Sequence, residues 1–280
     1  LQATKKDFKN AEKSFTAVHK KAPNNRVVFE ALLKTYLVKG EFDKAANALK
    51  KKIQESPNDA GYYNGLAEVY LAKKGNLDEV EKALRKAILL NPALPRPYHN
   101  LAKYYRLEKN EKDELQSYRT GLKAIPDDIP LAMSLASALE RVGKIDEAIK
   151  EYDGVLTKNP QQIIARNNLA ALLTDYKNDD ESLSKALDLV IDFEKGENPL
   201  LLDTVGWVYY KRGEIDKAIA IYERIVEKNT TLPVIQYHIG MVHFTKGHQD
   251  KAKTHLARAV AEQSNYKGVD EARATLALLE

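Results

Sequence analysis

Apolar positions recur along the chain in the i, i+3, i+4, i+7 rhythm of helices with one buried face. In residues 199–232 a first stripe runs through Leu202, Val205, Gly206 and Tyr209. A second runs through Ile215, Ala218, Ile219, Tyr222, Ile225 and Val226. Lys211, Arg212 and Gly213 separate them. A glycine there accepts the left-handed closing conformation, and cations suit the negative end of the helix dipole. Gly206 and Ala218 are the small members of the stripes, where two helix axes can approach. Such a hairpin cannot bury its apolar surface alone and needs neighbours on both sides.

The same unit returns along the chain. Pro23, Pro57, Pro92, Pro126 and Pro160 stand 34, 35, 34 and 34 residues apart, and Pro199 and Pro233 stand 34 apart. Proline fits a first turn but cannot continue a helix, so it marks unit boundaries. Gly40, Gly75, Gly143, Gly213 and Gly247 fall in the turns inside units. Together they predict a partial unit over 1–25, seven hairpins over 26–59, 60–94, 95–128, 129–162, 163–198, 199–232 and 233–266, and a capping helix over 267–280. The partial unit supplies one helix, Asp7 to Lys21, whose partner would precede Leu1; a longer protein is therefore expected. The fifth hairpin is irregular, because its turn over 174–182 is long and lacks a glycine.

Composition narrows the chemistry. A chain 44% hydrophobic and 30% charged, with a net charge of +4, is ordinary for a globular protein and calls for neither nucleic acid nor an anionic membrane. With no cysteine, thiolate nucleophiles, disulfides and cysteine metal sites are excluded. No run approaches the roughly 20 apolar residues of a membrane span. Neither a phosphate loop, a nucleophile elbow nor a His-Glu-x-x-His pair occurs. His238, His243 and His248 step by five residues and share no helix face, and the Asp179–Glu181 cluster lacks calcium-loop spacing. Neither an enzyme nor a cofactor or metal site is expected.

The segments GWVYYKRGEIDKAIAIYERIV (206–226) and LAEVYLAKKGNLDEVEKALRKAILLNP (66–92) resemble the tetratricopeptide repeat family. The resemblance implies an all-α, right-handed superhelical solenoid of about 16 helices. It also implies a concave groove lined by each hairpin's first helix, and a protein or peptide partner held there. Residues 201–260 are further similar to the last repeats of bacterial cell-envelope proteins of exopolysaccharide and exosortase-type systems. That implies periplasm or cell envelope rather than cytoplasm, and a polysaccharide as the alternative ligand.

Equivalent first-helix positions form columns along such a groove. One is Lys34, Glu68, Lys103, Ser137, Ala171, Trp207 and Met241. A second is Glu30, Asn64, His99, Met133, Asn167, Asp203 and Tyr237; a third is Leu37, Leu71, Arg106, Glu140, Thr174, Tyr210 and Phe244. The expected site has a basic middle, His99, Lys103, Arg106 and Arg141, and an exposed aromatic end, Trp207, Tyr210, Tyr237, Met241 and Phe244. Aromatic anchors of this kind carry binding energy on protein or sugar faces; the alternative is that these residues pack against the next hairpin or the capping helix. The Lys, Asn and Arg set with which some family members grip a peptide carboxylate is incomplete: Asn64 and Asn100 fit, but Glu68, Pro130 and Ser134 do not.

Overall fold

The computed structural model describes residues 14–18, 25–73, 77–228, 231–261 and 265–280. Most of the partial unit, including the ends of its predicted helix, and the turn at Gly75 lie outside them. Among the described residues the fold is all-helical and no strand occurs.

Helices pair in sequence. In the first compact unit, Leu1–Val142, they are α1 (Arg26–Lys39), α2 (Phe42–Glu55), α3 (Ala60–Lys73), α4 (Leu77–Leu90), α5 (Pro95–Leu107), α6 (Glu111–Ala124) and α7 (Ile129–Arg141). The second unit, Gly143–Glu280, holds α8 (Ile145–Lys158), α9 (Ile163–Leu172), α10 (Asp180–Val190), α11 (Pro199–Lys211), α12 (Ile215–Val226), α13 (Pro233–Thr245), α14 (Gln249–Ala259) and α15 (Val269–Ala277). The two compact units meet in sequence at the Val142–Gly143 turn.

The cores follow the stripes. In the first unit Phe29, Leu49, Ala67, Tyr70, Val80, Leu84 and Leu101 form one buried cluster. Small residues set the close approaches. A Cβ on Gly206 would meet the Tyr222 ring at 2.9 Å, and one on Gly240 would meet Leu256 at 2.6 Å. Tyrosines tie hairpins to the preceding turn: the Tyr63 hydroxyl donates to the Pro57 carbonyl at 3.1 Å, and Tyr98 to Pro92 at 3.0 Å. This reaches the carbonyls that a helix end leaves without partners.

Turns close with a left-handed residue. Gly40, Gly143, Gly213 and Gly247 have φ between 72° and 82°. In the third hairpin Lys109 takes this place at φ 56°, and in the fifth Asn178 at φ 52°. The fifth turn lacks glycine because a short polar side chain tolerates that region. Its extra length goes into a π-helical turn, Leu173–Lys177, before Asp179 caps α10 by accepting from the Ser182 N–H at 2.9 Å. A 3-10 turn, Ile191–Lys195, ends α10. Arg166 pins that turn: it donates to the Leu189 carbonyl at 2.7 Å, pairs with Asp192 and stacks on Phe193 at 4.7 Å.

Candidate functional site

In the first unit the α1 and α3 members of the columns, Glu30, Lys34, Leu37, Asn64 and Glu68, face an open cleft. It is lined on α1 by Arg26, Glu30, Leu33 and Lys34, on α3 by Tyr62, Asn64 and Glu68, and before and on α5 by Leu94 and Arg96. Its volume is about 360 Å³. Three polar side chains knit its floor. Asn64 donates to Glu68 Oε1 at 2.9 Å, and Asn100 donates to Asn64 Oδ1 at 2.9 Å and to Glu68 Oε1 at 3.0 Å. Glu68 thus has its carboxylate satisfied by amides, whereas Arg26 is engaged by Glu30 and Asp59.

The basic middle is split by its contacts. Lys103 and Arg106 are exposed, and like Lys34 and Arg96 they form no ion pair among the described residues. Arg141 is different: it pairs with Glu114, whose side chain is 3% exposed, and so neutralises a buried carboxylate. His99 is half-buried against the Tyr118 ring at 5.8 Å, and burial holds its imidazole below the usual histidine range.

The aromatic end of the second unit does not stand open, which corrects the expectation of an exposed cluster. Trp207 is 5% exposed, Tyr237 3% and Met241 5%; Tyr210 and Phe244 are half-buried. Trp207 lies between Tyr210, stacked at 4.7 Å, and His238, stacked at 3.9 Å. Its indole N–H donates to Asp175 Oδ1 at 2.8 Å. His238 Nδ1 in turn meets Asp203 Oδ1 at 2.8 Å. Tyr237 donates to Glu271 of α15 at 2.6 Å and packs on Tyr266; desolvation first, then this carboxylate, push its hydroxyl pKa up. The physical reason is that α15 and the turn before it pack on α13 and α14, so positions off the hairpin's own stripe acquire a second cover.

Sequence reasoning missed Asp175, Tyr176 and Lys267. The Lys267 ammonium donates to the Asp175 carbonyl at 2.6 Å, lies 3.9 Å from its carboxylate and sits 3.2 Å from the centre of the Tyr176 ring. The unusual length of the 174–182 turn was the only signal.

Three histidines meet between α13 and α14. His243 Nδ1 lies 3.2 Å from His248 Nδ1, and the His243 and His255 rings stack at 6.0 Å. His255 faces Gln236 Oε1 at 2.8 Å. Burial, with His243, Arg258 and Lys251 adding to it, pushes His255 down to about 4. Among the described residues no group of three or more His, Asp or Glu side chains is placed to hold a metal ion.

The tetratricopeptide repeat family matches residues 36–103 and again residues 204–230. The chain carries tetratricopeptide repeats. Solved structures with such repeats share the fold. A tetratricopeptide repeat protein from Parabacteroides merdae superposes with a TM-score of 0.58 at 17% identity, over 95% of this chain and 99% of that one. A chain of the APC/C hetero-tetramer Cut9-Hcn1 gives a TM-score of 0.58 at 17% identity, over 97% of this chain and 52% of that one. PilF of Pseudomonas aeruginosa gives 0.54 at 18% identity, over 77% and 97%. A TPR repeat-containing protein of Pseudomonas aeruginosa is 26% identical over 105 residues, which are 37% of this chain and 17% of that protein. Tetratricopeptide repeat proteins generally mediate protein–protein interactions, and scaffolds of this fold are typically non-catalytic. No helix among the described residues is long and apolar enough to cross a membrane.

Proposed function

We propose that this chain is a non-catalytic scaffold that holds an acidic protein segment in the cleft of α1, α3 and α5. One observation carries the proposal: the cleft cations Lys34 and Arg96 form no ion pair among the described residues, while its carboxylates Glu30 and Glu68 are already engaged. A partner with complementary charge is steered to such a face and held in register on it. The Asn64–Glu68–Asn100 network offers fixed polar edges to an extended backbone. A place in a multi-component bacterial assembly of the cell envelope goes with this proposal, supported by the sequence style of residues 201–260. The polysaccharide alternative leaned on open aromatic faces, and Trp207 and Tyr237 are covered.

An arrayed peptide library probed with the full chain tests the proposal. Bound peptides are expected to be enriched in Asp and Glu, to weaken at high salt, and to be lost with Lys34→Glu and Arg96→Glu together. Binders without acidic enrichment, or binding indifferent to both substitutions, would overturn it.

A further inference from the structure

The aromatic cluster of the second unit is covered by a segment of the same chain that looks less like core than like an occupant. The hairpin helices each bury three or more residues, and α13 buries nine. In α15 only Ala272 and Thr275 are buried, both small. Besides Glu271, which accepts from Tyr237, and the half-buried Leu276 and Leu279, the segment is fixed by the turn before the helix, Tyr266–Lys267–Gly268. Each of its residues meets a different feature of the surface beneath it. The Tyr266 ring packs on Tyr237 at 5.7 Å. Gly268, at φ 99°, lies so close to the Tyr237 ring that a Cβ would come within 2.4 Å of it. Lys267 reaches 92 residues back along the chain to the irregular turn of the fifth hairpin. There its ammonium is met by three groups: the Asp175 carbonyl, the Asp175 carboxylate and the face of Tyr176.

Carbonyl, carboxylate and aromatic face are together the chemistry that recognises an alkylammonium. The pocket is also built rather than accidental. Trp207 holds the Asp175 carboxylate through its indole N–H, and the π-helical turn presents Tyr176 beside it. Lys211, 4.8 Å from the centre of the Trp207 ring, faces the same place. Burial first, and then the like charge of Lys211, push the Lys267 ammonium below the usual lysine range, while Asp175 opposes the shift. A terminal element with few fully buried side chains is drawn from the low-stability end of a fold and opens more readily than the hairpins beneath it.

We propose that Asp175 and Tyr176, set in place by Trp207, form a lysine-binding pocket of the second unit, that Lys267 fills it in cis, and that a partner segment bearing lysine between an aromatic and a small residue displaces it. The turn is then a built-in competitor. The apparent affinity for the partner is reduced by the fraction of molecules in which Lys267 is seated. This goes beyond the cleft of the first unit, which lies in the other compact body and selects for the opposite charge.

Trp207 is the only tryptophan of the chain and touches the pocket through Asp175, so its fluorescence reports occupancy directly. The probe is the pentapeptide Asn-Tyr-Lys-Gly-Val, which copies residues 265–269, titrated into the full chain. Lys267→Ala empties the pocket and leaves the turn; Gly268→Ala unseats the turn by a clash with Tyr237. Both variants are expected to give a saturable change in Trp207 emission, with apparent Kd at least about tenfold lower than for the wild type. A control peptide with Ala in place of Lys should give none. The proposal fails if neither variant responds to the lysine peptide, if the Ala peptide binds as well, or if the wild type binds as tightly as Lys267→Ala. Acidic peptides play no part in this titration, so its outcome is separate from that of the array.

Discussion

At the residue scale, the same side-chain type does different work according to what covers it. Gly206 is small because the Tyr222 ring lies against it. Gly206→Leu should cost on the order of 1–3 kcal/mol, read as a lower thermal midpoint, and an unchanged midpoint would show that the interface can open. His255 makes a second case. It is buried among the cations Lys251 and Arg258 and the imidazole of His243, and its folded pKa is about 4 against an ordinary 6.5. The unfolded chain therefore binds the proton more readily than the folded one. The stability that this difference supplies is fully present above pH 6.5 and is lost as pH falls from there towards 4. Thermal melts across that window should drop more steeply for the wild type than for His255→Gln; parallel curves would assign the loss to carboxylates instead. The buried stripes were legible in the sequence because helical periodicity sets them within one hairpin. The contacts that enclose Trp207 were not, because Asp175 comes from the preceding hairpin and His238 from the following one, and no pattern within one hairpin encodes either.

At the element scale, the turns decide how regular each hairpin is. Four of them use glycine at positive φ, but Lys109 sits in the same region with a Cβ. A residue other than glycine is strained there, so Lys109→Gly should stabilise the first unit by about 1 kcal/mol, measured by denaturant midpoint. Asn178 is the natural compromise in the fifth hairpin, and the length of that turn, visible in the sequence, marks where the π-helical turn and its pocket stand. The same hairpin depends on Arg166. Its replacement by Met would keep much of the stem packing on Phe193 and leave the Leu189 carbonyl without its donor, at a cost of about 1–3 kcal/mol. A melt unchanged by Arg166→Met would mean that water replaces the guanidinium.

At the scale of the whole molecule, stability in a repeat array is close to a sum of units and nearest-neighbour interfaces. A local lesson follows for hydrogen exchange. Arg166→Met should raise exchange in α9, α10 and α11 while α1 to α5 keep their protection; a uniform rise would show that the chain unfolds as one. The sequence by itself determined that the chain is all-helical, where its hairpins begin, and which faces are buried inside each hairpin. Proline, turn glycine and apolar period are short-range physics; the apolar period returns in all seven hairpins and the turn glycine in five. Only the tertiary structure decided which outward columns stay open. Lys34, Lys103 and Arg106 are exposed on one compact body and form no ion pair among the described residues, whereas Trp207 and Tyr237 are enclosed on the other. The reason is that a column position is defined by its own helix but exposed or covered by whatever packs there next. In the second unit that is Tyr266–Gly268 and α15, held across a gap of 92 residues by one lysine.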